Sequence, residues 1–317
     1  MNLSSRYFIS LLSSFIKDTV PKKPSSFVAE NRGENNDKAV DWEKIYQLAC
    51  IHSLGGIVYL AVQKLEEADR PEISIINKLK SDFFYTTFRF EEQQKAFNEI
   101  VELLNREKIR HLIFKGTVIH QYYPVKQMRT QGDIDFLVHS EDLEKVREIF
   151  AGLGYKNHST KWHDKFKKGK LIFECHEKLI NNEINSKVDY AEYFKNAWQY
   201  AKNTGEGYTF ELDINYHLAF LIVHIAKHFY EKGAGVRLIL DIAIILDKFG
   251  DTLDFQEIWR HLETVKLDLF AKNIFALCER WFGVKTPGMN YKMDELTYNA
   301  MSKYILEGGT FGYSNNN

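Results

Sequence analysis

The chain of 317 residues is 44% hydrophobic and 27% charged, and its 42 basic and 43 acidic side chains leave a net charge of −1. That length holds one large domain or two ordinary ones, the composition is globular rather than disordered, and the neutral balance excludes a chain-wide basic footprint for nucleic acid. Cys50, Cys175 and Cys278 are far apart and odd in number, which excludes a disulfide framework and a CxxC zinc knuckle, and each reads as a small buried hydrophobe.

The first hundred residues read as helical. Leu3 to Ile16 carries apolar residues at helical spacing, interrupted by Arg6. Lys17 and the lack of a small-residue cleavage site argue against a leader, and no segment approaches the ~18–20 apolar residues of a membrane span. A cytoplasmic protein without membrane contact is therefore expected. Pro21 to Asp37 is polar and reads as a linker, after which Asp41 is placed to cap a helix starting at Trp42. Ile73 to Lys108 keeps an apolar stripe (Phe83, Phe84, Phe90, Phe97, Ile100, Leu104) that predicts one long helix with a core-facing side.

Near Arg110 the character changes. Leu112–Phe114 predicts a short strand, Lys115-Gly116 a turn into a helical stretch reaching Tyr123, and Asp133–Val138 a second strand. Glu141 to Leu153 predicts a helix ending at Gly154, followed by strands at Tyr155–His158 and Lys170–His176. Lys161 to Lys168 interleaves lysines with aromatics, which can grip a single strand of nucleic acid, but as one short patch on a neutral protein it reads as a solvated hairpin or loop. From Leu212 onward the chain is helical again, over 212–230, 236–249, 255–265, 267–282 and 294–306, with a Gly- and Asn-rich tail from Gly308 read as frayed. The expected divisions are a helical region over 1–108, a core over 109–205 and a helical region over 206–317.

Asp133-Ile134-Asp135 is the most informative tripeptide. On a strand, residues two apart share a face, which sets the two carboxylates about 6–7 Å apart. Like charges held that close are costly unless a cation lies between them, and hard oxygen ligands favour Mg²⁺ accompanied by substrate phosphates. Such pairs occur on many exposed strands, so the context carries the argument. Phe114-Lys115-Gly116 ends a strand and opens a helix, where backbone amides favour phosphate.

The block running from Ile113-Phe114-Lys115-Gly116 through Arg129 to Gly132-Asp133-Ile134-Asp135-Phe136-Leu137-Val138 resembles a family of uncharacterised bacterial nucleotidyltransferases of the DNA polymerase beta superfamily. The likeness continues through Gly154-Tyr155, Glu174-Cys175-His176, His224 and Arg237 to Asp241. It implies an α+β fold: a polymerase-beta-type nucleotidyltransferase core, a small mixed sheet with helices, flanked by N- and C-terminal helical regions. It also implies two-metal transfer of an NMP group from an NTP to a hydroxyl of a small molecule or a protein. Asp133, Asp135 and Glu174 would be the catalytic and metal-binding carboxylates, with Mg²⁺ or Mn²⁺ as the ion. Lys115, Gly116, Arg129 and His224 would contact the nucleotide. The superfamily usually carries Gly-Ser at the strand–helix turn, so Lys115-Gly116 replaces a hydroxyl with an ammonium and leaves the triphosphate to charge and backbone amides.

Two other readings stay open. The fold could serve a nucleotide-binding module without catalysis. Alternatively, His224-x-x-x-His228 puts two imidazoles on one helical face, and with Asp241 they could form the metal site of a phosphohydrolase. His217, His224 and His228 could equally line a groove or be hydrogen-bonded core residues. Arg237 and Asp241, four apart on one helix, are spaced for an intrahelical ion pair.

Overall fold

The computed structural model of the chain describes residues 1–31, 39–160, 163–180, 188–231 and 233–309. Helix α1 (Leu3–Ile16) begins where Asn2 Oδ1 accepts the Ser5 N–H at 2.9 Å. Helix α2 (Pro24–Glu30) occupies part of the stretch that reads as a linker. Proline at its first position needs no amide partner, and Phe27 and Val28 give it a buried side, so a polar composition hid a helix. Helix α3 (Trp42–Ile51) starts as expected, Asp41 Oδ1 accepting the Lys44 N–H at 3.0 Å. Helices α4 (Gly55–Gln63) and α5 (Ile73–Arg106) follow. The α5 stripe is only partly core: Phe84 is 58% exposed, because the buried side there runs through Thr86, Phe90 and Gln93, on the opposite side of the helix. Cys50 at the end of α3 is likewise exposed, while Cys175 and Cys278 are buried.

The sheet is built from β1 (His111–Ile113), β2 (Ile134–Val138), β3 (Lys156–Asn157), β4 (His163–Lys168), β5 (Leu171–His176), β6 (Ala201–Asn203) and β7 (Thr209–Leu212). Their order is β3-β4-β5-β2-β1-β7-β6, with β2–β5 and β1–β7 parallel and the other pairs antiparallel. The described sheet therefore exceeds the four strands legible in the sequence. Residues 163–168, read as part of a hairpin or loop, form β4, while Lys161 and Trp162 lie outside the described residues. The β6–β7 hairpin straddles the expected boundary at 205/206, because β7 returns to lie beside β1.

Between the strands run α6 (Gly116–Ile119), α7 (Leu143–Gly152) and α8 (Tyr190–Tyr193). After them come α9 (Ile214–Glu231), α10 (Val236–Phe249), α11 (Phe255–Thr264), α12 (Asp268–Phe282) and α13 (Glu295–Gly308). The tail read as frayed thus begins inside α13, and residues 310–317 lie outside the described ones. One face of the sheet packs through Ile134, Phe136, Phe173 and Cys175 onto α7 and the end of α5. The other packs through Leu112 and Leu137 onto Tyr216, Phe220 and Val223 of α9. A third, larger core joins α1, α3 and α4 to α9, α10 and α12.

Candidate active site

The alternation of β2 and β5 sorts their side chains. Ile134 and Phe136, like Phe173 and Cys175, enter the α7 side of the core, which turns Asp135, Glu174 and His176 to the opposite face. Asp135 lies directly beside Glu174 in the parallel register, and Glu174 beside Lys165 of β4 in the antiparallel one. His176 Nε2 donates to Asp135 Oδ1 at 3.0 Å and sits 3.8 Å from Glu174 Oε2. Lys165 Nζ donates to Glu174 Oε1 at 2.8 Å. Asp133, one residue before β2, lines the same cavity of about 380 Å³ and has no hydrogen-bond or ion-pair partner among the described residues.

Lys115 sits at the turn from β1 into α6 with φ +52° and ψ −131°, a conformation that favours glycine and costs on the order of 1–3 kcal/mol for another residue. Its side chain reaches back to the carboxylates, Nζ donating to Asp135 Oδ1 at 2.6 Å. Its backbone N–H donates to His217 Nε2 at 3.1 Å. His217 is buried, which pushes its pKa down to about 4, so the ring is neutral and carries its hydrogen on Nδ1. The phosphate cradle expected from backbone amides at this turn is weaker than the sequence suggests. Helix α6 is a single turn with little dipole, and one of its leading amides is already bonded to His217. Gly116 is required by a close approach: a Cβ there would lie 2.1 Å from Arg129 Nη1.

Arg129 is buried and its fork is taken, Nη2 donating to Asp241 Oδ2 at 2.8 Å and Nε to Asp241 Oδ1 at 3.3 Å. Tyr123 OH donates to the same carboxylate at 2.7 Å. Asp241 therefore pairs across to the loop before β2, and not with Arg237 on its own helix. Arg237 instead donates Nη1 to Thr130 O at 2.8 Å and to Thr130 Oγ1 at 3.1 Å, and its Nε is buried without a hydrogen-bond partner. His224 and His228 touch, Nε2 to Nε2 at 3.2 Å, and both line the carboxylate cavity. Among the described residues, the grouping of three metal-ligating side chains is Asp135, Glu174 and His176, and not His224, His228 and Asp241.

The electrostatics divide the carboxylates by role. Burial, then the charges of Asp135 and Glu174, push the Asp133 carboxyl up to about 6. Burial works the same way on Asp135, but the Lys115 ammonium and the His176 hydrogen bond overcome it and hold that carboxyl far below the usual range. Burial, with Lys115 next, keeps His224 and His228 neutral, the latter falling to about 4. Burial and the neighbouring Arg129 depress Arg237 to about 10. One atom from each of Asp135, Glu174 and His176 lies within 4.8 Å of the others. Two hard oxygens with an imidazole, and the unpartnered Asp133 alongside, suit Mg²⁺ or Mn²⁺.

The structure thus brings Asp133, Asp135, Glu174, Lys115, Gly116, Arg129 and His224 to one cavity. Four further lining residues were not read as site residues from the sequence: His176, His163, Lys227 and Arg237. The period of β5 places His176 beside Glu174, and Lys227 follows His224 by three on α9, so both signals were present. Arg237 carried a misleading one, because its four-residue spacing to Asp241 suggested a partner that Arg129 takes.

A model of the family described as uncharacterised nucleotidyltransferase matches residues 38–283. No curated protein matches the chain in sequence. Among solved structures, the chain is similar to the antibiotic-resistance factor ANT(2″)-Ia at 10% identity and a TM-score of 0.41, over 57% of this chain and 95% of that one.

Proposed function

Because the chain belongs to the uncharacterised nucleotidyltransferase family, we propose that it moves an NMP group from an NTP to a hydroxyl of a small molecule or protein, with Mg²⁺ or Mn²⁺ bound at Asp133, Asp135 and Glu174. The observation that carries this reading is the convergence of the three carboxylates on one cavity, with Asp135, Glu174 and His176 close enough to share an ion. A bound divalent ion would neutralise triphosphate charge and make the α-phosphorus more electrophilic.

The chain's own groups do the rest. The acceptor oxygen forms a bond to the α-phosphorus, the bridging bond to the β-phosphate breaks, and pyrophosphate leaves with the electron pair. The hydroxyl proton passes to Glu174 Oε2, the oxygen that Lys165 does not hold. Lys115 neutralises the phosphates at the turn, and Lys227 and Arg237 add two cations that carry no ion pair among the described residues. Arg129 is a positioning residue, locking the loop that leads into Asp133 onto α10 through Asp241.

The test is transfer of label from α-labelled NTP in the presence of Mg²⁺ and a cell extract. The Asp133→Asn/Asp135→Asn double variant should lose transfer by about a hundredfold or more, with an unchanged circular dichroism spectrum. Wild-type transfer rates in that variant would refute the site.

A further inference from the structure

A second cavity of about 390 Å³ lies across the 129–132 segment from the carboxylates, walled by α3, α4 and α5. The two cavities share Arg129, Gln131, Gly132 and Arg237 in their walls. Gly132 directly precedes Asp133, lines both cavities and is exposed, and a Cβ built on it would meet no atom within 4 Å. The volume falls in the range of small-molecule sites, about 300–1,000 Å³.

Charge indicates what this cavity takes. Asp82 of α5 lines it, half-buried, with no hydrogen-bond or ion-pair partner among the described residues. The Asp82 carboxylate packs against Gly55, where a Cβ would lie 2.3 Å from Oδ2. Lys78, one turn earlier on the same helix, is bound to Glu43 at 3.0 Å. Arg89 is bound to Glu92 and to the Lys170 carbonyl, and Arg129 to Asp241. Of the arginines in the lining, Arg89 and Arg129 are therefore committed and Arg237, on the shared wall, carries no ion pair among the described residues. None of these cations is paired with the Asp82 carboxylate, whose pKa burial already raises. Thr86 and Gln127 add a hydroxyl and an amide to the same wall.

We propose that this second cavity is the acceptor site, and that it takes a small cationic polyol whose ammonium is bound by Asp82 and whose hydroxyls face Gly132. Calling the ligand an acceptor rests on the nucleotidyl-transfer reading; the recognition of a cationic polyol by Asp82 does not.

Cys50 lines this cavity and is exposed, whereas Cys175 and Cys278 are buried, so its alkylation reports on occupancy. The full chain is treated with iodoacetamide in alkaline buffer, with glucosamine or glucose as probe, and modification of Cys50 is followed by mass spectrometry. Glucosamine should protect Cys50 and glucose should protect it far less. In Asp82→Asn the concentration of glucosamine needed should rise by about tenfold, the loss expected of a charge-assisted hydrogen bond. Absence of protection, equal protection by glucose, or full protection in Asp82→Asn overturns the proposal. Mg²⁺-dependent ATP binding by the unmodified chain is measured in parallel. Its absence would sink the nucleotidyl-transfer reading while leaving the Asp82 result standing.

Discussion

Asp133 is a carboxylate placed near two others without a cation of its own, and its acidity records that. A folded-state pKa raised from 3.8 to about 6 favours the protonated form. The stability linked to Asp133 is therefore fully present below about pH 4 and is lost as pH rises through about 6. Asp135 has the opposite sign: its lowered pKa contributes stability above the ordinary carboxylate range that is lost in acid. The two can be separated by comparing wild type with Asp133→Asn in EDTA. The variant should be more stable near neutral pH by about 1–3 kcal/mol, with the gain vanishing near pH 4. A gain independent of pH, or none, in urea unfolding would show that the repulsion is not felt.

At the scale of elements, the turn after β1 and the loop before β2 are held by one interlock, Gly116 against Arg129 against Asp241. Gly116→Ala would drive a methyl into a guanidinium that is buried and tethered, and breaking such a pair costs about 3–5 kcal/mol. The expected result is a lower urea midpoint with an unchanged slope; an unchanged midpoint would mean that the pair can shift without loss. Helices α1 and α10 were legible to their end residues, because each is a long apolar run bounded by polar or Gly-containing segments. Helix α4 was not: it opens on Gly55-Gly56 and is apolar on most sides, so no period stands out. Strand β4 reads His-Asp-Lys-Phe-Lys-Lys, its charges masking an alternation that buries Asp164 and Phe166. Strand β7 pairs with β1 across about a hundred residues of sequence, a contact no local pattern records. Strand period told which side chains of β2 and β5 share a face, while the choice of Asp133, Asp135 and Glu174 came from the resemblance. The partner of Arg237 was not legible, since Arg129 takes Asp241 only once α10 packs against the loop.

For the molecule as a whole, α1 is a central strut rather than an appendage. Tyr7, Phe8, Leu11 and Leu12 are fully buried in a core shared with α4 and α12. Leu12→Ala should cost about 2–5 kcal/mol, and the loss should appear in one transition reported equally by Trp42 in α3 and Trp281 in α12. Two separated transitions would mean that the N-terminal helices unfold on their own. The same continuity reaches the carboxylates through His217 and Asp241, which tie α9 and α10 to the turn and loop that carry Lys115 and Arg129. Seated on Asp135, the Lys115 ammonium is a resident competitor for any incoming cation. A divalent ion that comes by itself must displace that charge from its carboxylate. One that comes chelated to a triphosphate brings oxygens to which the evicted ammonium can turn. On the proposed function the two ligands then strengthen each other by the same factor, as linkage demands. A single lysine thereby ties the arrival of either ligand to that of the other.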